Sequence, residues 1–337
     1  MSYLTIRSAL IAIQPDRVNL HYTDTNEHNE WFMRVRENLT LVPHDLETEY
    51  GQQIKDKWQI SHIADLLRLD VIAKEGGIYL DMDVIALQSF NSLLGCEKDL
   101  ILGNEGGDRH GLCNAIIVGR RGSSFVKRWR ESYDTFATSE WNYHSVILPK
   151  ELSSSCQDEI CTVSPSVFYW PTWTRKHIRY MHEPITQSET QDFQDAIVAN
   201  GSGMYPDQLA YHAWSQVAST YLKDLSLEKV VSHNTRFNVS LILSSLYIVQ
   251  PHFNLPFRQT YSGLSTMSKS SSSSITEMSV TSKSHNKTVI SRLKKHMDSV
   301  QKKWGPLMAA KKDLDDEYNF PQGPYAGQGI PKRTRKW

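Results

Sequence analysis

Residues 61–87 read SHIADLLRLDVIAKEGGIYLDMDVIAL and place a helical pattern, a double-glycine stop and an apolar strand in immediate succession. Ile60, Ile63, Ala64, Leu67, Val71 and Ile72 recur at helical spacing, so the first half predicts a helix with one apolar side. Asp65 and Arg68 stand three residues apart and are neighbours on such a helix. Gly76 and Gly77 end it, because glycine accepts the left-handed conformation that closes a helix. In the strand that follows, side chains alternate, so Tyr79, Asp81 and Asp83 face one way. The segment therefore predicts two carboxylates projecting together from the end of a strand, where open α/β sheets bind ligands.

Other short runs fit the same architecture. Strands are expected at Val18–Tyr22, Thr40–Val42, Gly77–Asp81, Asp99–Leu102, Asn114–Gly119 and Leu209–Ala213, each rich in Val, Ile, Leu or Tyr. Helices are expected at Trp58–Lys74, Ser123–Phe136 and about Glu189–Ala199. Strands interleaved with helices predict an α/β domain over residues 1–257 with a mostly parallel sheet. Residues 258–288 are dominated by Ser and Thr and read as a linker. Beyond it, Val289, Leu293, Met297, Val300 and Trp304 mark a short basic amphipathic helix within a tail over 289–337, expected to be disordered apart from that helix. Such a helix could touch an anionic membrane surface, although a solvated tail is the plainer reading.

The whole chain carries 37 Lys and Arg against 37 Asp and Glu, but from Asn286 onward the ratio is 12 to 5. The folded part is thus mildly acidic and has no basic stripe for nucleic acid. No run approaches the roughly 20 apolar residues of a membrane helix, and the opening MSYLTIRSALIAI reads as an amphipathic helix rather than a leader. Cys96, Cys113, Cys156 and Cys161 lack metal-site spacing and leave two readings open, two disulfides or buried thiols. Sequons at Asn38, Asn200, Asn238 and Asn286 are weak evidence for a lumenal home.

Two close carboxylates without a basic neighbour repel. A divalent cation removes that problem, and Mg²⁺ or Mn²⁺ is typically held by one or two carboxylates plus substrate phosphates. Such an ion would neutralise charge on a diphosphate leaving group. An Asp-x-Asp pair alone says little: Asp313 and Asp315 form the same pattern and read as a solvated charge cluster. A phosphohydrolase with an Asp-x-Asp nucleophile is a weaker reading, since Ile85 stands where such enzymes carry Thr or Val.

With its context, ADLLRLDVIAKEGGIYLDMDV resembles the sugar-binding region of glycosyltransferase family 32 with its DXD motif. That family includes α-1,4-galactosyl- and N-acetylglucosaminyltransferases and α-1,6-mannosyltransferases. The resemblance continues through LCNAIIVGRRGSSFVKRW, WNYHSVILP and YHAW, across about residues 3–240. It implies a GT-A fold, a Rossmann-like mixed sheet flanked by helices that binds a nucleotide-sugar donor. It implies Mn²⁺, with Mg²⁺ as the alternative, retention of configuration, a glycan or glycolipid acceptor and a Golgi or other secretory lumen. By the same resemblance Asp65, Arg68, Gly77, Tyr79 and Asn114 contact the donor, Asp81 and Asp83 are catalytic, and Asp83, Asp81 and His212 hold the metal. Family members open with a base-binding strand, and this chain begins at what reads as the helix after it. A catalytically inactive carbohydrate-binding protein of the same fold is the alternative function.

Further residues carry two readings each. Asn114 opens the apolar run NAIIV and points at the sugar or starts a strand; His212 is a metal ligand or a core histidine. His144 and Ser145 line the acceptor side or cap a helix, and Glu105 approaches the acceptor or sits in a glycine-rich loop. Trp170 and Trp173 stack on a sugar or pack a core edge.

Overall fold

The computed structural model describes residues 1–107, 109–136 and 141–245. The linker, the basic amphipathic segment, the Asp313–Asp315 pair and the sequon at Asn286 lie outside the described residues. The strands are β1 (Val18–Tyr22), β2 (Leu39–Pro43), β3 (Gly77–Leu80), β4 (Val84–Ala86), β5 (Leu100–Gly106), β6 (Arg109–Gly119), β7 (Ile160–Val163) and β8 (Ala210–His212). Four helices matter below: α1 (Ser2–Ser8), α2 (Ile60–Glu75), α3 (Ser124–Glu131) and α4 (Gln187–Ala199).

The main sheet has the order β3-β6-β5-β7, with β1-β2 and β4-β8 as separate pairs. The α/β fold with a mixed sheet and flanking helices is as expected, but the sheet is not mostly parallel. β1–β2 and β5–β7 are parallel, whereas β3–β6, β5–β6 and β4–β8 are antiparallel. Strand β3 is thus not the parallel strand expected, because β6 comes back beside it as the centre of the sheet.

Burial explains the arrangement. Leu112 to Val118 of β6 carry a near-continuous apolar run, which suits a strand covered on both faces. On one face Ile63, Leu66, Leu69 and Ile72 of α2 pack with Phe125, Val126 and Trp129 of α3 against Leu100, Leu102 and Ile117. On the other, Ile101, Cys113, Ile116 and Val118 meet Phe168, Tyr169, Val84 and Ile85. Each fully buried side chain of this size contributes about 1.5–3 kcal/mol. The apolar stripe of α2 is rotated from the one read in the sequence: Ile60 is exposed, and Ser61, His62, Asp65 and Arg68 are buried beside the aliphatic residues.

Cys96 and Cys161 form a disulfide, while Cys113 and Cys156 are free thiols. Asn238 is buried and its amide donates to the Lys229 and His233 carbonyls, so that sequon is occupied by structure. No helix among the described residues is long and apolar enough to cross a membrane.

Helix α2 stops at Gly76, with φ 69°, and Gly77 follows at φ 108°. A Cβ on Gly76 would lie 2.6 Å from the Arg121 amide nitrogen, whereas one on Gly122, at φ 77°, would meet nothing within 4 Å. Both alanine substitutions carry the cost of a positive φ, about 1–3 kcal/mol, and Gly76→Ala adds overpacking of about 1–3 kcal/mol. Gly76→Ala is therefore expected to lower the melting temperature more than Gly122→Ala; equal losses would show that the helix stop is not tightly packed.

Candidate active site

The site begins with a break in the sheet. On β5 Leu102 faces Ile117 of β6, but the next residue, Gly103, faces Cys113. Asn114, Ala115 and Ile116 therefore bulge with no partner on β5, and their backbone groups need others. The Tyr169 hydroxyl supplies two bonds, donating to the Cys113 carbonyl at 3.0 Å and accepting from the Ile116 amide at 3.1 Å. The Asn114 carbonyl accepts from Arg68 Nη1 at 3.1 Å, and the Ala115 carbonyl accepts from the Asp81 amide at 2.8 Å. The bulge thereby draws α2 and the end of β3 onto β6.

Arg68 is the hub. Its guanidinium lies 3.0 Å from Asp81 and 3.4 Å from Asp65, and stacks 4.8 Å above the Tyr79 ring. Asn114 Nδ2 donates to Asp65 Oδ1 at 2.7 Å, and the Tyr79 hydroxyl donates to Asp81 Oδ1 at 2.7 Å. Burial opposes the guanidinium's charge, yet Asp81, Tyr79 and Asp65 outweigh it and raise its pKa further.

Asp81 and Asp83 sit in a turn between β3 and β4, not on strand positions; the Val84 amide donates to the Asp81 carbonyl. Helix α1 braces this turn, with Thr5 Oγ1 donating to the Met82 carbonyl and Ser8 Oγ accepting from the Ala86 amide. Asp83 is buried and accepts from the Ser215 amide at 2.9 Å, and its other oxygen is 3.0 Å from His212 Nε2. Trp214, held at φ 51° with its ring 4.0 Å from that of His212, turns the chain so that the Ser215 amide reaches Asp83.

The sequence reading of two acids without a basic neighbour does not hold: Arg68 stands beside Asp81 and His212 beside Asp83. Their environments differ accordingly. Burial raises the pKa of Asp81, only partly offset by Arg68 and reinforced by the charge on Asp83. Burial also pushes Asp83 up, but His212 and the Ser215 amide more than reverse it and hold it below the usual carboxylate range. His212 is raised: burial works against its charge, and Asp83 overcomes it.

Asp81, Asp83 and His212 each offer one ligand atom, all within 4.8 Å of one another. They open into one cleft that Asp65, Arg68, Asn114 and Glu105 also line. Four carboxylates therefore face one guanidinium and two imidazoles, those of His62 and His212, among the described residues, an excess of negative charge that a divalent cation would relieve. Two carboxylates and an imidazole are donors that suit a divalent cation. The donor set fits such an ion.

The structure brings Asp65, Arg68, Tyr79, Asp81, Asp83, Asn114 and His212 together. Gly77 stands apart, exposed at the far end of β3 opposite Gly119. Glu105 is a buried strand residue of β5 lining the cleft, not a loop residue. Trp173 and Ser145 line the cleft; Trp170 packs on His177, and His144 is buried among Tyr133, Phe136 and Tyr143. Ser61, His62 and Ser215 also line it and were not singled out from the sequence. The signal for Ser61 was present: it falls on the face of Asp65 and Arg68 at helical spacing.

Residues 7–99 match the family described as the glycosyltransferase sugar-binding region containing DXD motif. The chain is 35% identical over 247 residues to glucan organizing enzyme 1 of Cryptococcus neoformans var. grubii, across 70% of this chain and 62% of that protein. It therefore spans less than two thirds of that relative's length. Among solved structures, it is similar to PaToxG glycosyltransferase at 16% identity and TM-score 0.35, covering 71% of this chain and 79% of that one. The glycosyltransferase GlyE of Streptococcus pneumoniae TIGR4 follows at 14% identity and TM-score 0.38, covering 73% and 57%.

Removing Arg68 leaves Asp81 and Asp65 buried with their charges unmatched, which typically costs about 3–5 kcal/mol. Arg68→Met is expected to lose that much in denaturant unfolding, and adding Asp81→Asn should restore part of it. Strictly additive losses would show that the pair is not coupled.

Proposed function

We propose that the chain is a metal-dependent glycosyltransferase that moves a hexose from a nucleotide-sugar donor to a glycan or glycolipid acceptor. One observation carries the reading: Asp81, Asp83 and His212 converge on one point of a cleft whose adjoining wall is the Asp65–Arg68–Asn114 network. The match of residues 7–99 to a DXD sugar-binding region and the likeness to an enzyme that organises glucan support it. So does the resemblance to glycosyltransferase family 32.

Asp83, Asp81 and His212 would hold Mn²⁺ or Mg²⁺, and the ion would supply positive charge against the donor's diphosphate. Arg68 places a second, permanent positive charge next to that group, already oriented by Asp81 and Asp65, so little reorganisation accompanies the reaction. Asp65, fixed by Asn114 and Arg68, presents acceptor oxygens to sugar hydroxyls. In transfer with retention the bond from the anomeric carbon to the phosphate oxygen breaks and one to the acceptor oxygen forms. The acceptor's proton then leaves with the diphosphate. Trp173, Ser145 and Glu105 line the part of the cleft where we place the acceptor. The Cys96–Cys161 disulfide supports an oxidising compartment such as the Golgi lumen.

The test is nucleotide release from UDP-glucose, UDP-galactose, UDP-N-acetylglucosamine and GDP-mannose with Mn²⁺ and a glycan acceptor panel. Release from one donor, lost on chelation and reduced about 100-fold or more in Asp83→Asn, is the expected result. Folded protein that binds a nucleotide sugar yet turns over none of the panel would instead mark a non-catalytic binding protein of this fold.

A further inference from the structure

Two polar residues of the cleft have no assigned task. Ser61 and His62 lie in the first turn of α2, one turn before Asp65, and both are more than nine-tenths buried. Among the described residues Ser61 Oγ and His62 Nδ1 have no hydrogen-bond partner. A buried polar atom left unmatched costs about 1–3 kcal/mol. Two of them at one end of a single cleft point to a ligand that completes them.

The chemistry of that ligand follows from His62. Its Nε2 lies 3.3 Å from the Trp141 carbonyl, which can only accept, so the proton sits on Nε2. Burial lowers the pKa of the ring, which keeps it neutral. Nδ1 is therefore a bare lone pair held in place by Trp141 and Phe136 packed against the ring. It requires a donor. Ser61 can donate or accept, and Asp65, one turn further, only accepts. Neighbouring hydroxyls satisfy all three, one donating to Nδ1 and another to Asp65 while Ser61 donates to or accepts from either, whereas a carboxylate or phosphate would meet a lone pair and a carboxylate. Position along α2 gives the distance scale: seven residues from Ser61 to Arg68 span about 10 Å. Arg68 marks the diphosphate end, so Ser61 and His62 stand at the opposite edge of a hexose.

We propose that Ser61 and His62 read hydroxyls on the far edge of the transferred hexose and so restrict the donor to uncharged hexoses over hexuronic acids. This inference rests on the glycosyltransferase reading above.

The experiment is calorimetry on the full chain with Mn²⁺, using UDP and GDP alone, the four nucleotide hexoses named above and UDP-glucuronic acid. Wild type is expected to bind one nucleotide hexose tighter than the bare diphosphate and tighter than the glucuronic acid donor. Ser61→Ala and His62→Phe should each weaken that hexose by about tenfold, the worth of one hydrogen bond, with affinity for the bare diphosphate unchanged. Ser61→Ala removes one hydroxyl and disturbs no packing, so it decides the matter even where His62→Phe fails to fold. Unchanged hexose affinity in Ser61→Ala, or an equal loss for the bare diphosphate, overturns the inference while leaving the transferase reading intact. Wild type that binds a bare diphosphate and no nucleotide sugar sinks the transferase reading, and this inference with it.

Discussion

A guanidinium enclosed as fully as that of Arg68 persists only where every direction offers a counterpart, and that requirement organises the centre of this molecule. Asp65 comes from the same helix, Asp81 from the turn after β3, and the Asn114 carbonyl from the bulge of β6. Three elements distant in sequence are thus tied to one charge. The tie also sets chemistry: Asp81 is committed to Arg68 and Tyr79, while Asp83 faces His212 and the Ser215 amide. Two acids in one short turn consequently have opposite pKa tendencies, one raised and one lowered. Divergent environments for neighbouring titratable groups are a mark of functional sites.

The parts legible in sequence are those written in local patterns. Helix α2, its glycine stop and strand β3 were readable because apolar spacing, Gly76-Gly77 and the run after them agree with one another. β1 runs from Val18 to Tyr22 as read, and α4 starts two residues earlier than read. What sequence could not show is the return of β6 beside β3, because pairing partners leave no local trace. Nor could it show the bulge, since NAIIV reads as an unbroken strand. Gly103, Gly106 and Gly107 give Glu105 a loop reading beside the acceptor one. Gly103 instead makes room within β5, where a Cβ would come within 2.6 Å of the Tyr169 ring and 2.8 Å of Phe168.

The candidate site was partly visible for a related reason. Asp65 and Arg68 are polar residues on a helix face otherwise destined for burial, and such residues need partners. The same logic extends to Ser61 and His62, yet an apolar stripe centred on Ile60 and Ala64 concealed it. Ser215 carries no local sign, and His212 was named only through the resemblance of YHAW to the family. They matter only because β8 lies beside β4, a fact of tertiary structure.

That last pairing shows how little backbone holds the metal-type ligands in place. β4 and β8 share three residue pairs, with Val84 facing His212. A slip of one residue would turn the imidazole to the other side of the strand. The register is held by contacts outside the ladder: the Ala213 amide donates to the Asp83 carbonyl, and the Leu87 and Gln88 amides both donate to the Leu209 carbonyl. Trp214 adds a residue in the left-handed region, a conformation that costs about 1–3 kcal/mol for a non-glycine side chain. Its indole donates to the Pro171 carbonyl at 2.9 Å, which fixes the turn. Strain at Trp214 and the aim of the Ser215 amide are thus one feature. A relaxed chain at this point would lose the bond to Asp83, and with it a force that keeps that carboxylate ionised beside His212.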